Sequence, residues 1–144
     1  MTQEEKELLS NDLLKDICAR LPYGIIGQCE IDASYDTSFE TKPQTHKFNA
    51  VVYGLLEEGL LLVTPLIEDQ DVQEFANEEV SDGVDILDFK PYLFPLSNMT
   101  EEQKKECLKI TFIEATDWLN AHHFDYRGLI EKGLAIDATG LNIY

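Results

Sequence analysis

The chain is short of basic residues. Its 144 residues hold 11 Lys and Arg against 28 Asp and Glu, which gives a formal net charge of −17. A protein that binds nucleic acid or anionic lipid replaces counterions with Lys and Arg, so this composition argues against both kinds of partner. It favours attraction to a basic protein instead. The sequence therefore predicts no nucleic-acid partner, no membrane partner and a basic protein as the candidate partner, and it leaves the oligomeric state open.

Cysteine and long apolar runs are also scarce. Cys18, Cys29 and Cys107 are far apart and form no C-x-x-C pair, which excludes a zinc knuckle and a thioredoxin-type redox pair. The first ten residues are acidic and lack the apolar region of a signal peptide. No apolar run approaches the ~18 residues of a membrane span. We expect a cytoplasmic protein with free thiols.

The motifs of common catalytic sites are missing. The sequence contains no G-x-S-x-G nucleophile elbow and no glycine-rich phosphate loop. An EF-hand loop that began at Asp69 would place Glu74 at the glycine position and Val80 at the position of the bidentate glutamate. The sequence therefore predicts no cofactor and no metal, and it favours a protein without enzymatic activity.

Two helices are marked by capping boxes. Thr2 with Glu5 opens the first helix, over residues 3–20, and Thr100 with Gln103 opens the second, from about Glu101 to Ala121. Apolar residues follow each box at steps of three and four, which predicts a core-facing stripe on each helix. In the second helix the stripe comprises Leu108, Phe112, Ala115, Leu119 and His122.

Strand patterns lie between the two helices. Residues 23–31, 46–56, 60–66 and 83–89 have strand character, and residues 134–137 favour a final edge strand. The turn at Glu57–Gly59 predicts a hairpin of residues 46–56 and 60–66, with the second strand buried on nearly both faces, and residues 32–44 predict a polar loop or wide hairpin connection. The prolines of residues 90–99 favour an extended connector rather than a central strand. We expect a single domain over residues 1–144, of the α+β class, with an antiparallel sheet of about four or five strands covered by two amphipathic helices.

The richest chemistry lies in the sequence AHHFDYRG, which begins at Ala121. One hypothesis is a small-ligand or metal-dependent site at five residues, His122, His123, Asp125, Tyr126 and Arg127. Adjacent helical residues point about 100° apart, so the two histidines do not easily chelate one metal. The other hypothesis, which we favour, is a helix end: histidines there bond the last carbonyls and suit the negative end of the helix dipole.

A second candidate region is an acidic surface followed by an aromatic connector. Residues 66–90 hold nine acids and one base, and either a short acidic helix or a mobile loop fits them. The candidate interaction residues are Glu68, Asp69, Asp71, Glu74, Glu78, Glu79, Tyr92 and Phe94. The acids favour a solvated face or, as a weaker alternative, a DNA mimic that binds a basic protein. The two aromatics are anchors for a partner or, as we favour, pack over the sheet edge.

Three blocks of the sequence carry a resemblance. Residues 16–28, 90–106 and 118–137 resemble a family of short uncharacterised proteins found in gut bacterial genomes near phage-like or mobile elements. The resemblance implies an accessory protein of such an element and assigns no functional residues. Relatives in that family commonly have an arginine-type residue where this chain has Phe94, which weakens a role for the connector here.

We therefore expect a small acidic protein that binds another protein. The alternative is a small-ligand or metal-dependent site around His122, His123, Asp125 and Arg127, and the weaker alternative is the DNA mimic.

Overall fold

The α+β class is confirmed in a computed structural model of the chain, which describes residues 2–34, 43–57, 59–67, 77, 80–81 and 83–144. These residues form three α-helices and seven strands in a mixed sheet. The helices are α1 (Gln3–Arg20), α2 (Glu101–Leu108) and α3 (Phe112–Ala121). The strands are β1 (Ile25–Ser34), β2 (Pro43–Glu57), β3 (Leu60–Pro65), β4 (Val84–Asp85), β5 (Phe89–Pro95), β6 (Phe124–Asp125) and β7 (Ile136–Asp137).

The chain divides into two compact units. Unit 1 comprises Met1–Ile25 and Pro91–Tyr144, and unit 2 comprises Ile26–Lys90. Unit 1 contains the three α-helices and the candidate site residues 122–127. Unit 2 contains the hairpin of β2 and β3. The single domain expected over residues 1–144 stays a prediction.

Helix α1 begins and ends where the sequence predicts. The Thr2 hydroxyl accepts from the Glu5 amide at 3.1 Å, and the Glu5 carboxylate accepts from the Thr2 amide at 2.9 Å. Leu13 and Ile17 are buried on the inner face of the helix, as the apolar stripe predicts. The same face also buries a charged pair that the stripe does not predict, Asp16 and Arg20.

The prediction of one long helix over residues 101–121 is wrong. The chain leaves the helix after Leu108 and begins α3 at Phe112, because Thr111 acts as a new N-cap whose hydroxyl accepts from the Glu114 amide at 3.3 Å. The predicted stripe is interrupted as a result. Leu108 and Phe112 are 86% and 87% exposed instead of facing the core.

The predicted hairpin of unit 2 is confirmed. Strands β2 and β3 pair antiparallel from Ala50 with Pro65 to Glu57 with Leu60. We expected β3 to be buried on nearly both faces, but its side chains alternate, with Leu61 and Val63 buried and Thr64 exposed. The strand order in this unit is β4, β3, β2, β1. The predicted polar connection over residues 32–44 is partly strand, and its residues 35–42 lie outside the described residues.

The strand predicted over residues 83–89 is mostly wrong. Val84–Asp85 pairs with β3, a 3₁₀ turn follows at Ile86–Asp88, and Phe89 already begins β5. The Asp85 carboxylate accepts from the Leu87 amide at 2.9 Å, which caps this turn and ends the strand.

The proline-rich connector is a strand, which corrects the prediction. Within unit 1, β5 pairs in parallel with β7 at Tyr92 and Leu93 and with β6 at Phe94 and Pro95. Proline lacks the amide that a strand donates, and here the residue between Leu93 and Pro95 supplies one: the Phe94 amide donates to the His123 carbonyl at 2.8 Å. These short parallel pairings make the sheet mixed rather than antiparallel. The final strand expected at residues 134–137 is confirmed as β7.

No helix among the described residues combines the length and the apolar character that crossing a bilayer requires.

Candidate functional site

The segment AHHFDYRG lies where α3 ends and β6 begins. His122 is the C-cap of α3, and His123 takes a left-handed backbone with a φ of 61°. This conformation is uncommon for a residue other than glycine, and it turns the chain sharply out of the helix. Phe124 and Asp125 then pair with the end of β5. The segment is thus a helix end that leads directly into a strand.

The two histidines pack against different aromatic side chains. The exposed ring of His122 stacks on Trp118 with the ring centroids 4.0 Å apart, and its Nδ1 lies 2.9 Å from the Trp118 carbonyl. The His123 ring stacks on Tyr144 with the centroids 3.5 Å apart and the planes 8° apart. Among the described residues, no group of three or more His, Cys, Asp or Glu side chains is placed to hold a metal ion.

His123 is held in its neutral form. Burial, then the Arg20 guanidinium and then His122 lower the pKa of His123 to about 4. Its Nδ1 is buried without a hydrogen-bond partner. A pKa of about 4 disfavours protonation of the ring at pH 7, and the stacked Tyr144 covers one face of the ring.

A buried charged cluster lies beside this segment, and we name Asp16, Arg20, Tyr126 and Arg127 the Arg20 cluster. Arg20 is 1% exposed, and its Nε donates to Asp16 Oδ2 at 2.8 Å. Its Nη2 donates to the Phe124 carbonyl at 2.5 Å. Burial raises the pKa of the Asp16 carboxyl, and the hydrogen bond from Arg20 opposes that shift.

Tyr126 and Arg127 complete the Arg20 cluster. The Tyr126 ring has the guanidinium carbons of Arg20 and Arg127 at 5.3 and 5.2 Å from its centroid, within the range of cation–π contact. The Tyr126 hydroxyl donates to Asn120 Oδ1 at 3.0 Å. Arg127 Nε lies 3.4 Å from Asp16 Oδ1, an ion pair without hydrogen-bond geometry. Tyr126 and Arg127 therefore contact Asn120 and Asp16 within the protein.

Asp125 organises the turn that follows. Its side chain is buried, and its two carboxylate oxygens accept from the Leu129 and Ile130 amides, each at 3.0 Å. Gly128, which lies between Asp125 and these two amides in the chain, has a φ of 72°, a conformation that glycine adopts without strain. Asp125 thus stabilises the loop over residues 125–132 through the backbone.

A cavity opens beside this loop, and we name it the Asp125 pocket. Its volume is about 360 Å³. The lining residues are Pro95, Leu96, Ser97, Asp125, Tyr126, Gly128, Ile130 and Glu131. Of the five residues predicted from the sequence, Asp125 and Tyr126 reach this pocket, whereas His122, His123 and Arg127 do not line it.

Of the eight candidate interaction residues, the two aromatics lie within the described residues and the six acids do not. Tyr92 is 5% exposed in β5, so it is packed rather than presented to a partner. Phe94 is half-buried between the rings of Phe124 and Tyr144, at centroid distances of 6.3 and 6.2 Å. The acids Glu68, Asp69, Asp71, Glu74, Glu78 and Glu79 lie outside the described residues.

An exposed apolar surface was missed by sequence reasoning. Leu108, Phe112 and Ile113 are 86%, 87% and 74% exposed at the junction of α2 and α3, and we name these three residues the apolar junction. Helical periodicity assigned Leu108 and Phe112 to the core. The signal that could have found the surface is T-x-x-E at Thr111 and Glu114, a possible cap inside the predicted helix.

Two of the three cysteines have thiols whose surroundings disfavour the reactive form. All three thiols are free, and Cys29 is buried with its pKa raised to about 12 by burial and by Asp88. Burial and Glu106 also raise the pKa of Cys107. A raised pKa disfavours the thiolate, which is the reactive form.

Comparison of the chain with protein-family models, curated proteins and solved structures finds no match.

Proposed function

We propose that this protein is a non-enzymatic interaction protein whose apolar junction docks a basic amphipathic segment of a partner protein. The observation that carries the proposal is the exposure of three large apolar side chains within six positions, Leu108, Phe112 and Ile113. Exposed apolar patches on proteins are typically places where another molecule binds. Covering such side chains contributes about 1.5–3 kcal/mol each to association.

The charge around the apolar junction supports a basic partner. Residues 101–117 carry five acids and three lysines, and the chain as a whole carries a net charge of −17. One of the lysines, Lys104, already pairs with Glu101 at 3.3 Å. A segment with an apolar face and Lys or Arg beside it complements this surface, and the net charge accelerates its approach.

The geometry of residues 122–127 supports this proposal over a reaction centre. His122 bonds a helix carbonyl, Asp125 bonds two loop amides, and Arg127 pairs with Asp16. These contacts stabilise the protein itself and leave no convergent set of reactive groups among the five predicted residues. A cytoplasmic accessory role in a phage-like or mobile element belongs to the same proposal and follows from the sequence resemblance.

The test is capture of partners from a lysate of the organism that encodes the chain, with the wild-type protein and Phe112→Ser as baits. Tyr53→Ser is the matched control, because Tyr53 is 64% exposed but lies on β2 in the other unit. We expect a basic protein that binds the wild type and Tyr53→Ser, is lost from Phe112→Ser and leaves at high salt. A peptide with the basic amphipathic segment of that protein should then bind the purified chain with the same dependence on Phe112.

Two results contradict the proposal. One is equal recovery of every captured protein on the wild type and on Phe112→Ser. The other is an acidic partner whose binding strengthens with salt. Because Phe112 is 87% exposed, Phe112→Ser should alter the free energy of unfolding by less than about 0.5 kcal/mol, and urea titration checks that the bait is folded.

A further inference from the structure

We propose that the Asp125 pocket binds a small organic cation, an alkylammonium or guanidinium group on a short apolar stem. The volume of about 360 Å³ is at the lower end of the range for small-molecule sites, about 300–1,000 Å³. Its lining combines apolar side chains with carboxylates and contains no Lys, Arg or His. No residue of the apolar junction lines the pocket, and the ligand proposed here is independent of the partner proposed there.

In the loop over residues 125–132, the basic side chains pair with α1 and the acidic residues line the pocket. The two basic residues of the loop are turned to carboxylates of α1: Arg127 Nε lies 3.4 Å from Asp16 Oδ1, and Lys132 Nζ lies 3.2 Å from Asp12 Oδ2. The two acids of the same loop, Asp125 and Glu131, line the pocket instead. Because the nearby bases are paired elsewhere, the pocket keeps a negative charge that a cation can neutralise.

The Asp125 carboxylate is fixed in place before any ligand arrives. Each of its oxygens accepts one amide, from Leu129 or Ile130, at 3.0 Å. An ionised carboxylate has about four acceptor positions, so about two remain for donors of a ligand. Asp125 is only 8% exposed, and an ion pair with a partly desolvated carboxylate is stronger than one in open water.

The rest of the lining suits the stem of such a cation. Pro95, Leu96 and Ile130 supply apolar surface, and Ser97 supplies a hydroxyl. The Tyr126 ring already has two guanidinium groups in contact range, with the Arg20 and Arg127 carbons 5.3 and 5.2 Å from its centroid. The geometry therefore assigns the recognition of the cation to Asp125 and Glu131 rather than to the tyrosine ring.

The experiment is an amide NMR titration of the full chain with butylammonium and butylguanidinium at constant ionic strength. Neutral 1-butanol is the control for the stem. We expect saturable shifts of the Ser97, Gly128 and Ile130 amides, with a dissociation constant on the order of 1–10 mM for so small a ligand, and no such shifts with butanol. A further titration with the methylamide of N-acetyl-lysine compares two natural sources of the cation, a lysine side chain in a peptide and a free alkylammonium. Tighter binding of either one identifies that source.

Two variants make the result specific. Glu131→Gln should weaken binding about two- to five-fold, because Glu131 is an exposed carboxylate of the lining. Glu102→Gln makes the same change of net charge on α2, outside the lining, and should leave the dissociation constant unchanged. Ser97→Phe, at an exposed position, should fill the pocket and abolish the saturable shifts.

The proposal is overturned by any of three results: shifts that do not saturate, equal shifts with butanol, or equal weakening by Glu131→Gln and Glu102→Gln. Retention of binding by a folded Ser97→Phe variant overturns it as well. None of these results bears on the apolar junction, because Phe112→Ser should bind the cations as the wild type does.

Discussion

Arg20 Nη2 donates to the carbonyl of Phe124 at 2.5 Å, across 104 positions of the sequence. The bond joins the last turn of α1 to the strand that leaves α3. The same guanidinium donates to Asp16 Oδ2 through its Nε at 2.8 Å. A single buried side chain thus bonds one carboxylate oxygen of Asp16 and the backbone carbonyl of Phe124, whereas Asp16 Oδ1 and Arg20 Nη1 are buried without a hydrogen-bond partner.

The first prediction concerns the loss of that side chain. Arg20→Met leaves the Asp16 carboxylate buried with only the ion pair to Arg127 at 3.4 Å, and it leaves the Phe124 carbonyl without this donor. We expect the free energy of unfolding to fall by about 3–5 kcal/mol, the usual result of breaking a buried pair from one side. Urea denaturation monitored by far-UV circular dichroism measures the change.

Two further variants show whether the pairing causes that loss. Lys15→Met removes a positive charge from an exposed position of α1 and should change stability by less than about 0.5 kcal/mol. The double variant Asp16→Leu with Arg20→Met should be more stable than Arg20→Met alone, because no uncompensated carboxylate remains. A loss below about 1 kcal/mol for Arg20→Met would contradict the prediction.

Sequence reasoning found the elements whose signals are local. The capping box at Thr2 and the apolar stripe gave α1, and period-two alternation around a glycine turn gave the hairpin of β2 and β3. It did not find β6, and it did not find that β5 is a paired strand, because a two-residue parallel pairing leaves no periodic pattern in the sequence. Such pairings depend on contacts far apart in the chain, like that between Arg20 and Phe124.

The second prediction concerns the interruption between α2 and α3. Thr111→Ala removes the hydroxyl that accepts from the Glu114 amide at 3.3 Å, whereas Thr111→Asp keeps an acceptor there. We expect Thr111→Ala to destabilise the protein by about 0.5–2 kcal/mol and Thr111→Asp to stay within a few tenths of the wild type. Equal stabilities of the two variants in urea denaturation would show that the hydroxyl does not define the start of α3.

The candidate site was predictable only in part. The tight exit at His122 and His123 follows from local chemistry, since histidine suits a helix C-terminus. The Arg20 cluster was missed, although Asp16 and Arg20 stand four positions apart on the apolar face of α1, where a charged pair signals burial or function. The Asp125 pocket was beyond sequence reasoning, because its lining comes from two segments about thirty residues apart that meet through β5 and β6.

The third prediction concerns the packing of unit 2. A Cβ added at Gly27 would overlap the ring of Phe89 and lie 2.7 Å from the Lys90 carbonyl oxygen. We expect Gly27→Ala to cost about 1–3 kcal/mol through displacement of the Phe89 ring and the strand backbone. Gly54→Ala on β2 is the control, because its Cβ would meet a side-chain carbon of Leu62 at 3.5 Å, an ordinary contact. Unfolding of Gly27→Ala and Gly54→Ala at the same urea concentration would contradict the prediction.

The fourth prediction concerns the pH dependence of stability at His123. Its pKa is about 4 in the folded protein, below the ordinary 6.5, so the unfolded chain binds more protons between these two values. The stabilisation from neutral His123 is therefore complete above pH 6.5 and is lost as the pH falls towards 4, with a slope of at most about 1.4 kcal/mol per pH unit. Burial raises the pKa of Asp16, and this shift lowers the free energy of unfolding as the pH rises above 3.8, the opposite of the His123 effect. The informative quantity is therefore the difference in the free energy of unfolding between the wild type and His123→Gln, in which the Asp16 contribution cancels.

We expect the free energy of unfolding, measured by urea denaturation between pH 4 and 7, to decline less steeply for His123→Gln than for the wild type. NMR titration of the ring protons, assigned with His122→Gln, should give a midpoint near 4 for His123. Parallel pH profiles together with a midpoint near 6.5 would mean that the ring is open to water rather than enclosed by Tyr144 and Arg20.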